Sequence, residues 1–217
     1  KVDMVIAQLT VTPERQKLVD FTNPTRKGVA EIVVTGPGAP AIASVEDLAG
    51  QEVFVRPSSS YHQSLLDLNG RLQAAGKPPV VLRAAPENLE DEDLLEMVNA
   101  GLIGITVVDD YLAEFWKQVF TDLTLHDTVA VRTGGNLAVA IRKDSPQLAA
   151  GLNAIIDEYG LGTTFGNIIE KRYFQSTNFV KNARSEAERQ KFLQMVELFK
   201  KYSDQYELDY MLMAAQG

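Results

Sequence analysis

The 217-residue sequence has no cysteine, so it can form neither a disulfide framework nor a thiolate nucleophile or metal-thiolate cluster. Histidine is nearly absent as well: only His62 and His126 could serve as imidazole bases or metal ligands. The serine-hydrolase elbow, the phosphate-loop signature and the zinc-protease helix motif are all missing. Positive charge is sparse, with 21 Lys and Arg against 29 Asp and Glu, and no basic cluster forms the stripe that a phosphate backbone requires. No apolar run approaches the ~20 residues of a membrane-spanning helix. Together these absences leave no catalytic residue, metal site or cofactor to name, and they argue against nucleic acid as a partner or a membrane span in this chain.

The opening stretch, Lys1 to Thr22, holds the strongest positive signal. Val2, Met4, Val5 and Ile6 form a short apolar run of the kind found in strands buried on both faces. Thr12, Pro13 and Glu14 then read as an N-cap, a proline at the first helical position and an acidic first turn. A helix therefore starts where the strand ends. The Thr10 and Thr12 hydroxyls, the helix-start amides and the Arg15 guanidinium can converge there on one carboxylate, which Arg grips bidentately. The alternative is a capped surface helix whose Arg15 pairs with Glu14 or Asp20.

Farther along, strand-like and helix-like stretches alternate, which predicts an α/β protein with a mostly parallel sheet. Strands are expected at Glu31–Thr35, Glu52–Arg56, Val80–Arg83, Ile103–Val108 and Leu137–Ile141. Helices are expected at Val45–Leu48, Ser64–Ala75, Asn88–Asn99, Tyr111–Val119 and Pro146–Tyr159. Gly162 to Asn167 reads as a helix-terminating turn. Two further polar clusters sit at strand ends. Ser58, Ser59 and Ser60 follow the strand at Arg56 and can aim hydroxyls at an anion, or simply cap the next helix. Asp109 and Asp110 lie at the carboxyl end of Ile103–Val108, where ligands of open α/β sheets bind. Asp109 is the expected ligand contact and Asp110 the helix cap; His62, beside the serines, is left outside the core site.

The stretch DMVIAQLTVTPERQKLVDFTNP resembles the signature of the type 2 periplasmic solute-binding proteins, which include the polar amino-acid receptors. The resemblance continues through Gly28–Gly36, Asp47–Tyr61, Val98–Tyr111 and Asn136–Tyr159. It implies a two-lobed α/β fold and a small-molecule ligand. Thr10 and Arg15 would hold a ligand carboxylate from one lobe, Ser59 and Ser60 from the other, and Asp109 would meet an amino group. It places residues 1–36 and 133–175 in a discontinuous first lobe and residues 37–132 in a second. It also places two strand-helix units before Lys1, so the first lobe is expected to be incomplete.

Beyond residue 175, Glu186 to Tyr202 carries apolar residues at Phe192, Met195, Val196 and Phe199, the stripe of an amphipathic helix. Leu198 to Gly217 resembles the opening of the all-α, lysozyme-like domain of the membrane-bound lytic transglycosylase F family. Residues 176–217 are thus expected to be a connector and the first helices of that domain. In that family the catalytic glutamate follows this motif, so it would lie past Gly217, and Glu207 is not that residue. The resulting expectation is an extracytoplasmic binding and sensor module, truncated at both ends, which recognises an amino acid or cell-wall peptide and does not cleave. Its parent would be a lytic transglycosylase acting on peptidoglycan, periplasmic or attached to the outer membrane facing the periplasm. The alternatives are a transporter's amino-acid receptor and a degenerate module serving as an interaction scaffold.

Overall fold

A computed structural model of the chain describes residues 2–178, 180, 201, 202 and 205. The chain divides into two compact units, residues 1–175 and 176–217, and all named elements belong to the first. The amphipathic helix expected over Glu186–Tyr202 lies outside the described residues except for Lys201 and Tyr202. The stretch resembling a transglycosylase domain lies outside them except for Lys201, Tyr202 and Gln205.

Seven strands form one sheet: β1 (Met4–Thr10), β2 (Asp20–Phe21), β3 (Arg26–Thr35), β4 (Glu52–Val55), β5 (Val81–Ala84), β6 (Ile105–Asp109) and β7 (Thr124–Ile141). Their order is β1-β7-β3-β6-β4-β5, with β2 also pairing β7. The helices named among the described residues are α1 (Pro13–Leu18), α2 (Ser60–Ala74), α3 (Asp91–Asn99), α4 (Asp110–Lys117), α5 (Pro146–Tyr159) and α6 (Thr164–Tyr173). Val45–Leu48 is a short 3-10 turn.

The sheet is not mostly parallel. Only β4 runs parallel to its neighbours β5 and β6; the pairings β1–β7, β2–β7, β3–β6 and β3–β7 are antiparallel. The cause is β7, which begins at Thr124, well before the expected Leu137, and lies along the whole of β3. Its leading half, with polar Thr124, His126, Asp127 and Thr128, gave no apolar run to read.

Around β3 and β6 the core is dense. Ile32, Val33, Val34, Val107 and Val108 are buried in the sheet, and Leu65, Leu68 and Leu95 close over it from α2 and α3. Truncating one of these leucines to alanine removes about 2–5 kcal/mol in a typical core. Gly36, at the end of β3, packs so close to α3 that a Cβ there would lie 2.2 Å from the Val98 carbonyl oxygen.

Two other expectations are overturned. β1 is the sheet's edge strand and is not buried on both faces: it pairs only with β7, and Met4, Val5 and Ile6 are exposed, Ile6 at 70%. Gly162–Asn167 does not terminate a helix; the Thr163 hydroxyl accepts the Gly166 N–H and caps the start of α6.

Candidate functional site

At the end of β1 the Val11 amide donates to the Asn136 carbonyl of β7, fixing where the strand hands over to α1. The Thr12 hydroxyl caps α1 by accepting the Arg15 N–H at 3.2 Å, and Pro13 takes the first helical position, where its missing N–H is harmless. Arg15 therefore stands one turn from Thr10. Its Nη1 donates to the Thr10 carbonyl and its Nη2 to the Ser58 carbonyl, each at 3.0 Å. Ser58 is anchored in turn by Glu87, whose carboxylate accepts both its amide and its hydroxyl.

The serine loop comes to the same place. Ser60 and Thr10, fifty residues apart, are both buried, with their hydroxyl oxygens 3.1 Å apart. Ser59 is engaged otherwise: its hydroxyl donates to the Arg56 carbonyl and accepts the His62 N–H, which makes it the N-cap of α2. A cleft of about 190 Å³ is bordered by Thr12, Arg15, Ser58, Ser59, Ser60 and His62.

A row of three charged residues crosses the middle of the sheet. Glu31 on β3 is directly opposite Asp109 on β6 and directly opposite Arg132 on β7. Cross-strand partners have Cβ atoms about 4.5–5.5 Å apart, so two carboxylates and one guanidinium lie side by side. Glu31 is 1% exposed and fully engaged, accepting from Arg132 Nη2 and from the Ser64 hydroxyl. Asp109 is 4% exposed, and its Oδ1 has no hydrogen-bond partner among the described residues. Burial first, then the carboxylates of Glu31, Asp91 and Asp110, push the Asp109 carboxyl up to about 8, with Arg132 opposing. Arg15 is lowered from its usual value by burial and by the Arg132 guanidinium, while Asp109 acts on it in the opposite sense.

A second chain of bonds supports this row. The Asp109 N–H donates to the Tyr61 hydroxyl oxygen at 3.3 Å, Tyr61 donates to Asp91 at 3.0 Å, and Asp91 accepts from Arg56 at 3.0 Å. The Tyr61 phenol is raised, chiefly by burial and next by Asp91. Asp109 itself occupies the N-cap position of α4 but makes no capping bond. Asp110, the expected cap, begins the helix; its carboxylate accepts the Tyr111 N–H at 2.8 Å and the Ala30 N–H at 3.2 Å.

Chemically the site offers a fixed guanidinium, hydroxyls at its side and one buried carboxylate without a cation of its own. No group of His, Cys, Asp and Glu among the described residues is arranged to hold a metal ion. Sequence reasoning missed Glu31, Tyr61 and Arg132. The signal for Glu31 was a lone carboxylate inside the apolar run Val29–Val34, which has no reason to be there unless it is paired. Arg132 had no comparable signal.

The sequence profile of the bacterial extracellular solute-binding proteins, family 3, matches residues 1–176. A membrane-bound lytic murein transglycosylase F from Aeromonas hydrophila is 29% identical over 222 residues, covering 99% of this chain and 42% of that protein. The L-arginine-binding protein of Pseudomonas aeruginosa is 28% identical over 182 residues, covering 80% of this chain and 65% of that protein. The substrate-binding protein of an amino acid ABC transporter superposes with a TM-score of 0.66 at 22% identity, over 81% of this chain and 72% of that one, which shows the shared fold. The chain spans about two-fifths of the transglycosylase's length.

Proposed function

The chain belongs to the bacterial extracellular solute-binding proteins, family 3, and from that premise we propose that it binds a zwitterionic amino acid or the amino-acid end of a cell-wall peptide. The observation that carries this reading is the pairing of opposite, incompletely used charges: Arg15 beside Thr10 and Ser60, and buried Asp109 with an unmet oxygen. Two of the five Arg15 donors reach backbone carbonyls, which leaves donors for a ligand carboxylate. That contact is charge-assisted and is assigned about 1.5–3 kcal/mol. The Thr10 and Ser60 hydroxyls complete the carboxylate's shell. Ser59 contributes by fixing the start of α2 and not through its own hydroxyl. The ligand ammonium sits at Asp109, where it neutralises a carboxylate that the protein leaves alone.

In this reading the sheet works as two lobes, residues 1–36 with 133–175 and residues 37–132, joined by β3 and β7. The support is local: Gly28 and Gly134 adopt positive φ angles of 74° and 70°, and the β3–β7 register shifts around Val29. Residues 176–217 are assigned to a connector and the start of a lysozyme-like domain. The module senses ligand for a parent lytic transglycosylase that works on peptidoglycan in the periplasm or at the outer membrane. The match to a transglycosylase across 99% of the chain supports that assignment. The chain itself binds and does not cleave. No helix among the described residues is long and apolar enough to cross a membrane. A second reading, a receptor that serves an amino-acid transporter, is favoured by the match to the arginine-binding protein over 65% of its length.

Calorimetric titration of the chain with a panel of L- and D-amino acids and short muropeptides tests the proposal. Saturable binding of at least one α-amino acid or peptide, lost in Arg15→Ala, is expected; no binding by any of them would refute it.

A further inference from the structure

Three carboxylates surround Asp109, and the chain already engages all three: Asp110 accepts the Tyr111 and Ala30 N–H groups. Glu31 is held by Arg132 and Ser64, and Asp91 by Arg56 and Tyr61. Glu31 and Asp91 thus each meet a guanidinium from within the chain, whereas Asp109 meets none and its Oδ1 has no hydrogen-bond partner among the described residues. Across β6, β3 and β7 the charges run negative, negative, positive. With Asp109 ionised, the row is therefore short of one positive charge. One ligand ammonium makes it neutral, and a second cationic group finds no free carboxylate and meets Arg132 instead.

From this juxtaposition we infer that Arg132 is a specificity-determining residue that restricts the site to ligands with a single cationic group and excludes dibasic amino acids. The inference rests on the reading that Asp109 takes the ligand ammonium. Arg132 places its guanidinium on Glu31 from β7, so that carboxylate is not available to pair a second ligand charge. Burying a second, unpaired charge costs far more than any apolar contact returns. The Arg132 guanidinium also acts on Arg15 in the like-charge sense, so a further cation brought near them adds to that repulsion. A neutral side chain meets neither penalty.

The test is calorimetry at pH 8 with L-alanine, L-glutamine, L-lysine and L-arginine on the 217-residue chain and two variants. In the parent chain the neutral amino acids should bind at least 10-fold more tightly than lysine or arginine. Arg132→Gln frees Glu31, so the ratio should shift at least 10-fold toward the dibasic ligands. The double variant Glu31→Gln, Arg132→Gln removes both charges, keeps the row's hydrogen-bonding groups and should show no such gain. That control separates a newly free carboxylate from a merely loosened site. If Arg132→Gln does not fold, the parent chain's own ratio still decides. Arginine bound as tightly as alanine by the parent, with Asp109→Asn still abolishing both, would overturn the inference and leave the ammonium site standing. Equal binding of propionate and alanine by the parent would remove the ammonium site, and the inference with it.

Discussion

Ligand binding should release a proton, and Asp109 should be its source. In the ligand-free protein burial and three neighbouring carboxylates hold this carboxyl up at about 8, so at pH 6 only about 1% of it is ionised. An ammonium placed against its unpartnered Oδ1 favours the charged form and draws the proton off. Binding at pH 6 should therefore release close to one proton per ligand, falling to about half a proton at pH 8. The same linkage makes affinity rise about 50-fold between pH 6 and pH 8, almost tenfold per unit at the acid end. Calorimetry in buffers of different ionisation enthalpy measures both quantities at once. Asp109→Asn should bind weakly and abolish the slope, because an amide has no proton to yield. Stability follows the opposite course. A folded-state pKa above the unfolded value of about 3.8 means that Asp109 contributes stability below that pH and loses it as pH rises toward 8, at up to about 1.4 kcal/mol per unit. The ligand-free Asp109→Asn variant should accordingly melt higher than the parent at pH 7.5, with little difference at pH 4. Affinity unchanged between pH 6 and 8, with no proton released, would refute the assignment of Asp109 as a carboxylate waiting for a cation.

Other substitutions separate the remaining roles. Arg15→Ala and Arg15→Lys should both weaken binding more than tenfold in a titration, since lysine lacks the planar fork that spans the Thr10 carbonyl, the Ser58 carbonyl and a ligand carboxylate. Ser59→Ala should cost about 1 kcal/mol of stability in denaturant melts through the lost α2 cap, with affinity changed less than threefold, whereas Ser60→Ala should reduce affinity more than it reduces stability. Glu31→Ala strands Arg132 without its carboxylate and should lower stability by about 3–5 kcal/mol in the same melts, and Glu31→Gln should lower it less.

Much of the fold was legible because its elements obey local rules. Thr12–Pro13 announced α1, the apolar run to Val108 announced β6, and the helix expected at Pro146–Tyr159 is α5. The polar half of β7 was not legible, since Thr124 to Thr128 owe their strand conformation to pairing with the far end of β3. Edge and centre could not be told apart either. Met4, Val5 and Ile6 spell a buried strand, but a strand's exposure depends on its neighbours, which local sequence does not state. In the site, Thr10, Arg15, Ser59 and Ser60 were picked from short motifs, and the structure sets the Thr10 and Ser60 hydroxyls side by side. The Asp109–Glu31–Arg132 row depends on register across three strands and has no short-range signature.

The central claim is that one small molecule satisfies Arg15 with a carboxylate and Asp109 with an ammonium. Its most direct test is a pair of double-mutant cycles in which a bound amino acid, its amide and its des-amino analogue are titrated into the parent chain, Arg15→Ala and Asp109→Asn. The account predicts that removing the carboxylate weakens binding at least tenfold in the parent and hardly at all in Arg15→Ala. It predicts that removing the ammonium does the same in the parent and hardly anything in Asp109→Asn. Equal losses in parent and variant for both ligand groups would show that neither residue touches the ligand and would contradict the account.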